Sequence, residues 1–235
     1  MWQELRSELI DKGVEVVTVA LDTGGAAAAR PFVDMAAPEH PSLVDEAHVC
    51  DEALGIVNVP MAVWVDETGT LVRPAHSAQV QVSPFRDAEI PEGLPDRLHQ
   101  TLVEVKKIPG DAEAYLTALR DWAEHGADSR FALTPDEVIA RSQPRPRSHA
   151  EAAAAFELAQ HLWRAGRRDA AVRWFRRAHD LHPHNWTYKR QAWTLATTKE
   201  GELSDLLQAP NELYDTGWLE EIQRLGAENY YPAFE

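Results

Sequence analysis

A chain of 235 residues, 44% of them apolar, suits one large domain or two small ones and is too apolar for the disordered class. Its formal net charge of −15 argues against general nucleic-acid binding, and no stretch reaches the roughly 18–20 apolar residues of a membrane span. The opening Met1-Trp2-Gln3-Glu4-Leu5-Arg6 has neither the basic leader nor the apolar run of a secretory signal, so a cytoplasmic setting is expected. Cys50 stands alone, which rules out an intrachain disulfide and suits a reducing compartment.

In chain order, Trp2, Leu5, Leu9 and Ile10 recur at helical spacing, and Gly13 follows as the expected C-terminal stop. Val14–Leu21 is a β-branched apolar run, expected to be a parallel strand buried on both faces and closed by Asp22-Thr23-Gly24-Gly25. Short helices are predicted over Ala26–Ala37 and Asp51–Ile56. Met61–Val65 and Thr70–Val72 read as a hairpin around Asp66-Glu67-Thr68-Gly69, with Pro60 where the first strand begins. Residues 75–95, with Pro84, Pro91 and Pro95, read as a linker or wrapping loop after the hairpin.

Strand signals then stop. Helices are predicted over 96–107, 111–125 and 135–141, the last with Thr134 as N-cap and Pro135 in first position. Prolines 144 and 146 break the chain before Ser148-His149-Ala150-Glu151, which reads as a capping box for a helix over 149–165. Further helices are expected over 168–181, 185–198 and 215–225, followed by an aromatic tail, Tyr230-Tyr231-Pro232-Ala233-Phe234. Charge is uneven here. Residues 141–190 carry 11 Lys/Arg against 4 Asp/Glu, or +7, and residues 191–235 carry 2 against 9, or −7. Mutual packing of the two segments is one reading of this, and a docking surface for an acidic peptide is the other.

The order helix, Val14–Asp22, helix, Pro41-Ser42-Leu43-Val44-Asp45, helix, Gly55-Ile56-Val57-Asn58-Val59-Pro60 and the Asp66-Gly69 hairpin resembles the thioredoxin superfamily over residues 1–75. The similarity is nearest to its ResA/TlpA and redoxin branches. The resemblance implies a cis Pro60 and a substrate-binding role for the backbone of Val59 and for Pro60, by β-strand addition. It also implies thiol-disulfide oxidoreductase or peroxide-reductase activity where the family's Cys-x-x-Cys pair is present. Here that pair and its strand are absent. Cys50 does not replace it, because Asp45, Glu46, Asp51 and Glu52 surround it and raise a thiol pKa. The expected catalytic residues are therefore none, and no cofactor is expected.

The missing strand leaves Val14–Leu21 and Met61–Val65 with unpaired edges. Three arrangements answer to that: a Met1 internal to a longer protein, which is the favoured expectation, a partner or swapped strand, or direct pairing of the two strands.

Residues 152–185 resemble the tetratricopeptide repeat, with Leu158, Ala159, Leu162, Gly166, Ala171, Phe175, Ala178 and Pro183 at its signature positions and Ala155 where Trp is usual. The resemblance implies a partner groove on the first helix of the pair, and Phe156, Gln160, Trp163 and Arg164 share one face of it. Packing within the protein is the plainer reading of that face. His179, His182 and His184 invite a metal reading, but Pro183 divides two of them and no carboxylate or cysteine completes a set, so no metal is expected.

The expected fold is α/β, a partial thioredoxin-like fold over 1–87, a linker with helices over 88–147, and an all-α tetratricopeptide-like region over 148–235. The composition bias (18 Arg to 5 Lys, alanine-rich) points to a GC-rich genome, and the ResA/redoxin resemblance implies a bacterial source. The expected function is that of a non-catalytic member of the thiol-disulfide family. The alternative is a repeat scaffold for protein–protein interaction. A protein or peptide partner is expected in both cases.

Overall fold

The structure is a computed structural model that describes residues 1–81, 83, 86–142, 144–196 and 208–232. The expectations for Pro84, for the helix end at 197–198 and for Ala233 and Phe234 lie outside these residues. The fold is mixed, with many helices and only small sheets. Two compact units divide it. One gathers the described residues of Met1–Val82 and Asp111–Pro144, the other those of Ser83–Gly110 and Arg145–Pro232. The expected linker over 88–147 is thus shared out between the two.

In the first unit α1 (Trp2–Leu9) runs into a single 3₁₀ turn that Gly13 ends at φ +83°, a conformation that favours glycine. Only the end of the apolar run 14–21 forms a strand, β1 (Thr18–Leu21). It is not buried on both faces as expected: Val17 and Val19 are exposed. Among the described residues β1 pairs only with β2 (Ser42–Asp45), in parallel register from Thr18↔Ser42 to Leu21↔Asp45. Between them lies α2 (Gly25–Ala36), with Pro31 inside it. A short helix α3 (Val49–Leu54) follows and is ended by Gly55 at φ +75°.

The Val59–Pro60 peptide is cis, and it leads into β3 (Met61–Val65). The second hairpin strand, β4 (Leu71–Ser77), is longer than the predicted Thr70–Val72. It takes in Pro74 because the register shifts there: Trp64 pairs with Arg73 and Ala62 with His76, so Pro74 and Ala75 lie opposite Val63 in a bulge. The Asp66 carboxylate builds the turn, its Oδ1 accepting from Thr68 N, Thr68 Oγ1 and Thr70 N at 2.6–2.9 Å. The two sheets are separate, so β1 and β3 do not pair directly.

Helix α5 (Ala112–His125) supplies the other side of this core. Trp64, 3% exposed, stacks on Trp122 at 4.9 Å and lies among Leu5, Leu9, Tyr115, Ala118 and Leu119. Helix α6 (Pro135–Arg141) opens with Thr134 as N-cap, as predicted, and the structure adds a capping box with Glu137; Leu133 N bonds Val72 O just before it.

The second unit is helical: α4 (Asp96–Lys107), α7 (Arg147–Arg164), α8 (Arg168–Leu181), α9 (Trp186–Leu195) and α10 (Trp218–Leu225). α7 and α8 form an antiparallel pair turned at Gly166, whose φ is +73°. Ala152, Ala155, Ala159, Ala171 and Ala178 are all buried, and their small side chains let the aromatic core of Phe156, Phe175, Tyr188 and Trp193 close around them. The capping box expected at Ser148 is not formed. The helix begins at Arg147 with Pro146 as N-cap, and Glu151 turns instead to Arg147 Nε at 2.9 Å. Tyr230 of the tail is buried between Trp186 and Trp218.

The charge asymmetry is spent inside this unit. Arg176 Nη2 donates to Asp215 Oδ1 at 2.7 Å, Arg168 faces Glu212 at 3.6 Å, and Lys189 donates to Glu221 at 2.8 Å. Among the described residues no helix is long and apolar enough to cross a membrane.

Candidate functional site

Val59 and Pro60 sit on a short segment held at both ends. Asn58, wholly buried, accepts the Val59 N–H on its own Oδ1 at 2.9 Å, and Pro60 O accepts from Ala78 N at 3.1 Å. Val59 is left 47% exposed, with its N–H already engaged by Asn58.

Cys50 lies in the first turn of α3. Its backbone N–H donates to Asp45 Oδ2 at 2.7 Å. Burial, then the charge and hydrogen bond of Asp45, then Asp51, push the thiol pKa up. Burial opposes the charge on Asp45, but the N–H groups of Cys50 and Val49 hold its pKa below the usual value. His48, in left-handed conformation at φ +58°, is buried beside them, and burial pushes its pKa down to about 4.

The four α7 residues divide. Phe156 is 1% exposed and stacks on Tyr188 at 4.2 Å, so it belongs to the core of its unit. Gln160 is 2% exposed. Trp163 is half-buried, with the Arg168 guanidinium over its ring at 4.6 Å, and Arg164 is exposed. A partner therefore meets Trp163 and Arg164 and not the other two.

Among the described residues neither amide atom of Gln160 has a hydrogen-bond partner. Burying an unpaired amide costs about 1–3 kcal/mol, so Gln160→Met is expected to stabilise this unit by roughly 1–2 kcal/mol in urea unfolding. No gain would mean that the amide is paired in solution.

Two features escaped the sequence reading. The first is a buried charge centre: Glu221, 2% exposed, accepts on Oε2 from Lys189 Nζ at 2.8 Å and Arg224 Nη2 at 2.7 Å, with His179 Nε2 at 3.3 Å. Lys189 is fully buried, and its ammonium lies 4.5 Å over the Trp186 ring. Glu221, Arg224 and His179 line a cleft of about 490 Å³ together with Arg176, Asp180 and Tyr214. Its signal was in the periodicity. Lys189 lies three residues after Trp186 and four before Trp193, on the apolar face of α9, and Glu221 lies three after Trp218.

The second is a stack of His149 on His182, with ring centroids 3.6 Å apart. It explains why the three histidines of the 179–184 turn do not converge: His182 faces His149 while His179 turns to Glu221. Among the described residues no group of three His, Cys, Asp or Glu is arranged to hold a metal.

Comparison of the chain with protein-family models, with characterised proteins and with solved structures found no match to any of them.

Proposed function

We propose that this chain is a thioredoxin-like unit of the ResA/redoxin kind joined to a tetratricopeptide-like helical unit, and that it binds a protein partner instead of exchanging disulfides. The observation that carries the non-redox part is the setting of Cys50. A thiol used in disulfide exchange needs a lowered pKa and a second thiol to resolve the mixed disulfide. The one cysteine of this chain has a raised pKa and two carboxylates near it. The thioredoxin-like part of the reading is supported by the parallel β1–β2 pair, the antiparallel β3–β4 hairpin and an exposed Val59 ahead of Pro60.

The test is insulin reduction driven by dithiothreitol, together with alkylation of Cys50 by iodoacetamide at pH 8. The expected results are no rate above the uncatalysed one and alkylation several-fold slower than that of a free thiol. Turnover by this chain would overturn the proposal.

A second reading, a repeat scaffold for protein–protein contact, is favoured by the exposed Arg164 beside the half-buried Trp163. Loss of partner binding on Trp163→Ala with Arg164→Glu, but not on Val59→Asp, selects the scaffold. The reverse pattern selects the thioredoxin-like face.

A further inference from the structure

The acidic segment neutralises much of the basic one: Arg168 faces Glu212, and Arg176 is bonded to Asp215. Along α8 the match is incomplete. Residues 167–177 carry five Arg against one Asp, or +4. Among the described residues Arg167 and Arg173 make no hydrogen bond or ion pair, and Asp169, one turn before Arg173, does not pair with it. Arg177 reaches Glu151 only at 3.6 Å, and Arg147 already holds that carboxylate at 2.9 Å.

These arginines surround an exposed aromatic ring. Helix α8 buries Ala171, Phe175 and Ala178, each 0% exposed, in the core of its unit. Arg167, Ala170, Trp174 and Arg177 recur at i, i+3, i+7 and i+10, and they form the stripe beside that buried face. Trp174 is 40% exposed, more than any other large apolar side chain of this unit among the described residues. Arg173 and Arg177 stand four apart, a like-charge spacing that costs the helix stability. An exposed indole by itself calls for no explanation. This one is flanked by guanidinium groups that the protein leaves short of carboxylates. Trp and Arg together are the residues that carry most of the binding energy where proteins meet.

We propose that this stripe of α8 docks an acidic helix of a partner protein, with carboxylates on Arg167, Arg173 and Arg177 and an aliphatic side chain on Trp174. Charge selects the partner's sign. Carboxylates supply the counter-charges that the stripe lacks and relieve the repulsion between Arg173 and Arg177. A nucleic acid is a long polyanion, which the net charge of −15 repels, whereas a short acidic helix meets only the local excess. From Arg167 to Arg177 the stripe runs about 15 Å, which matches roughly three turns of a docking helix. A helix is the fitting form because α7 and α9 already pack on α8 as helices. The stripe belongs to a different helix from Trp163 and Arg164 and does not depend on their role.

The experiment uses the full chain and a fluorescein-labelled synthetic peptide of about 15 residues, enough for four helical turns, built of Glu, Leu and Ala. A control peptide has Lys in place of every Glu. Fluorescence anisotropy is expected to show saturable binding of the Glu peptide that weakens several-fold as salt rises, and no binding of the Lys peptide. Arg173→Glu with Arg177→Glu should weaken binding about tenfold or more, and Trp174→Ala several-fold, with circular dichroism unchanged. All three side chains are exposed, and the arginine pair decides the matter if the tryptophan variant unfolds. Trp163→Ala should leave the affinity within about twofold, which separates this surface from the α7 face. No binding of the Glu peptide at low salt, equal binding of the two peptides, or binding that the α8 variants leave unchanged would each overturn the proposal. So would tighter binding of a single-stranded oligonucleotide of equal charge, or a dimer of this chain that Arg173→Glu dissociates.

Discussion

Replacing Lys189 with alanine is expected to cost the helical unit about 3–5 kcal/mol, enough to unfold a marginally stable domain. Lys189 is 0% exposed and Glu221 2% exposed, and they meet at 2.8 Å. Burial pushes the Lys189 pKa down to about 8, whereas hydrogen bonds from His179, Arg224 and Lys189 overcome burial and hold Glu221 well below the usual carboxylate range. The two directions pull differently on the pair. The carboxylate is ionised because three donors converge on it, and Lys189 is then still cationic at neutral pH. Removing the lysine leaves Glu221 buried with less compensation. Replacing both by apolar residues, Lys189→Met with Glu221→Leu, is expected to recover most of the loss, since desolvation of the pair offsets much of its attraction. Urea unfolding followed by tryptophan fluorescence measures both. A cost below about 1 kcal/mol for Lys189→Ala would mean that water reaches the pair.

Lowering the pH from 7 to 5 is expected to destabilise the first unit by about 2 kcal/mol for each of His48 and His76. Both side chains are buried, and burial brings each down to about 4 from an ordinary value near 6.5. The unfolded chain then binds more protons than the folded one below pH 6.5. Stability from these groups is present above that value, falls as pH drops, and levels off once pH passes below about 4. His76→Phe and His48→Asn should each flatten part of the profile. Asparagine tolerates the left-handed backbone at position 48. A denaturation midpoint that does not move between pH 7 and 5 would show that both imidazoles reach solvent.

The helices were legible because their signals are local. Thr134 caps α6 with Pro135 in first position as read, and Gly166 turns α7 into α8. The Ser148 box failed because Pro146, two residues earlier, already offers a fixed φ and an extended backbone at the cap position. The strand over 14–21 shortened because its apolar pattern states what the segment can bury, while its length in the sheet depends on what lies beside it. β4 outran its prediction for the opposite reason, since a bulge opposite Val63 lets the strand run on through Pro74. Of the four residues placed on one face of α7, spacing was enough to group them and not enough to separate buried Phe156 and Gln160 from exposed Arg164. A face 100° wide holds both the core contact and its rim.

By itself, the sequence determined the order and kind of nearly every element, the cap at Thr134, the hairpin turn at Asp66 and the absence of a second thiol. Each of these is set by residues within a few positions of one another. Only the tertiary structure decided that residues 111–144 join the first unit and α4 the second, and that the basic and acidic segments pair with each other. It alone stacked His149 on His182 and buried Lys189 against Glu221. Those contacts join side chains more than 30 positions apart, and their energies depend on burial and distance, quantities that local pattern does not contain.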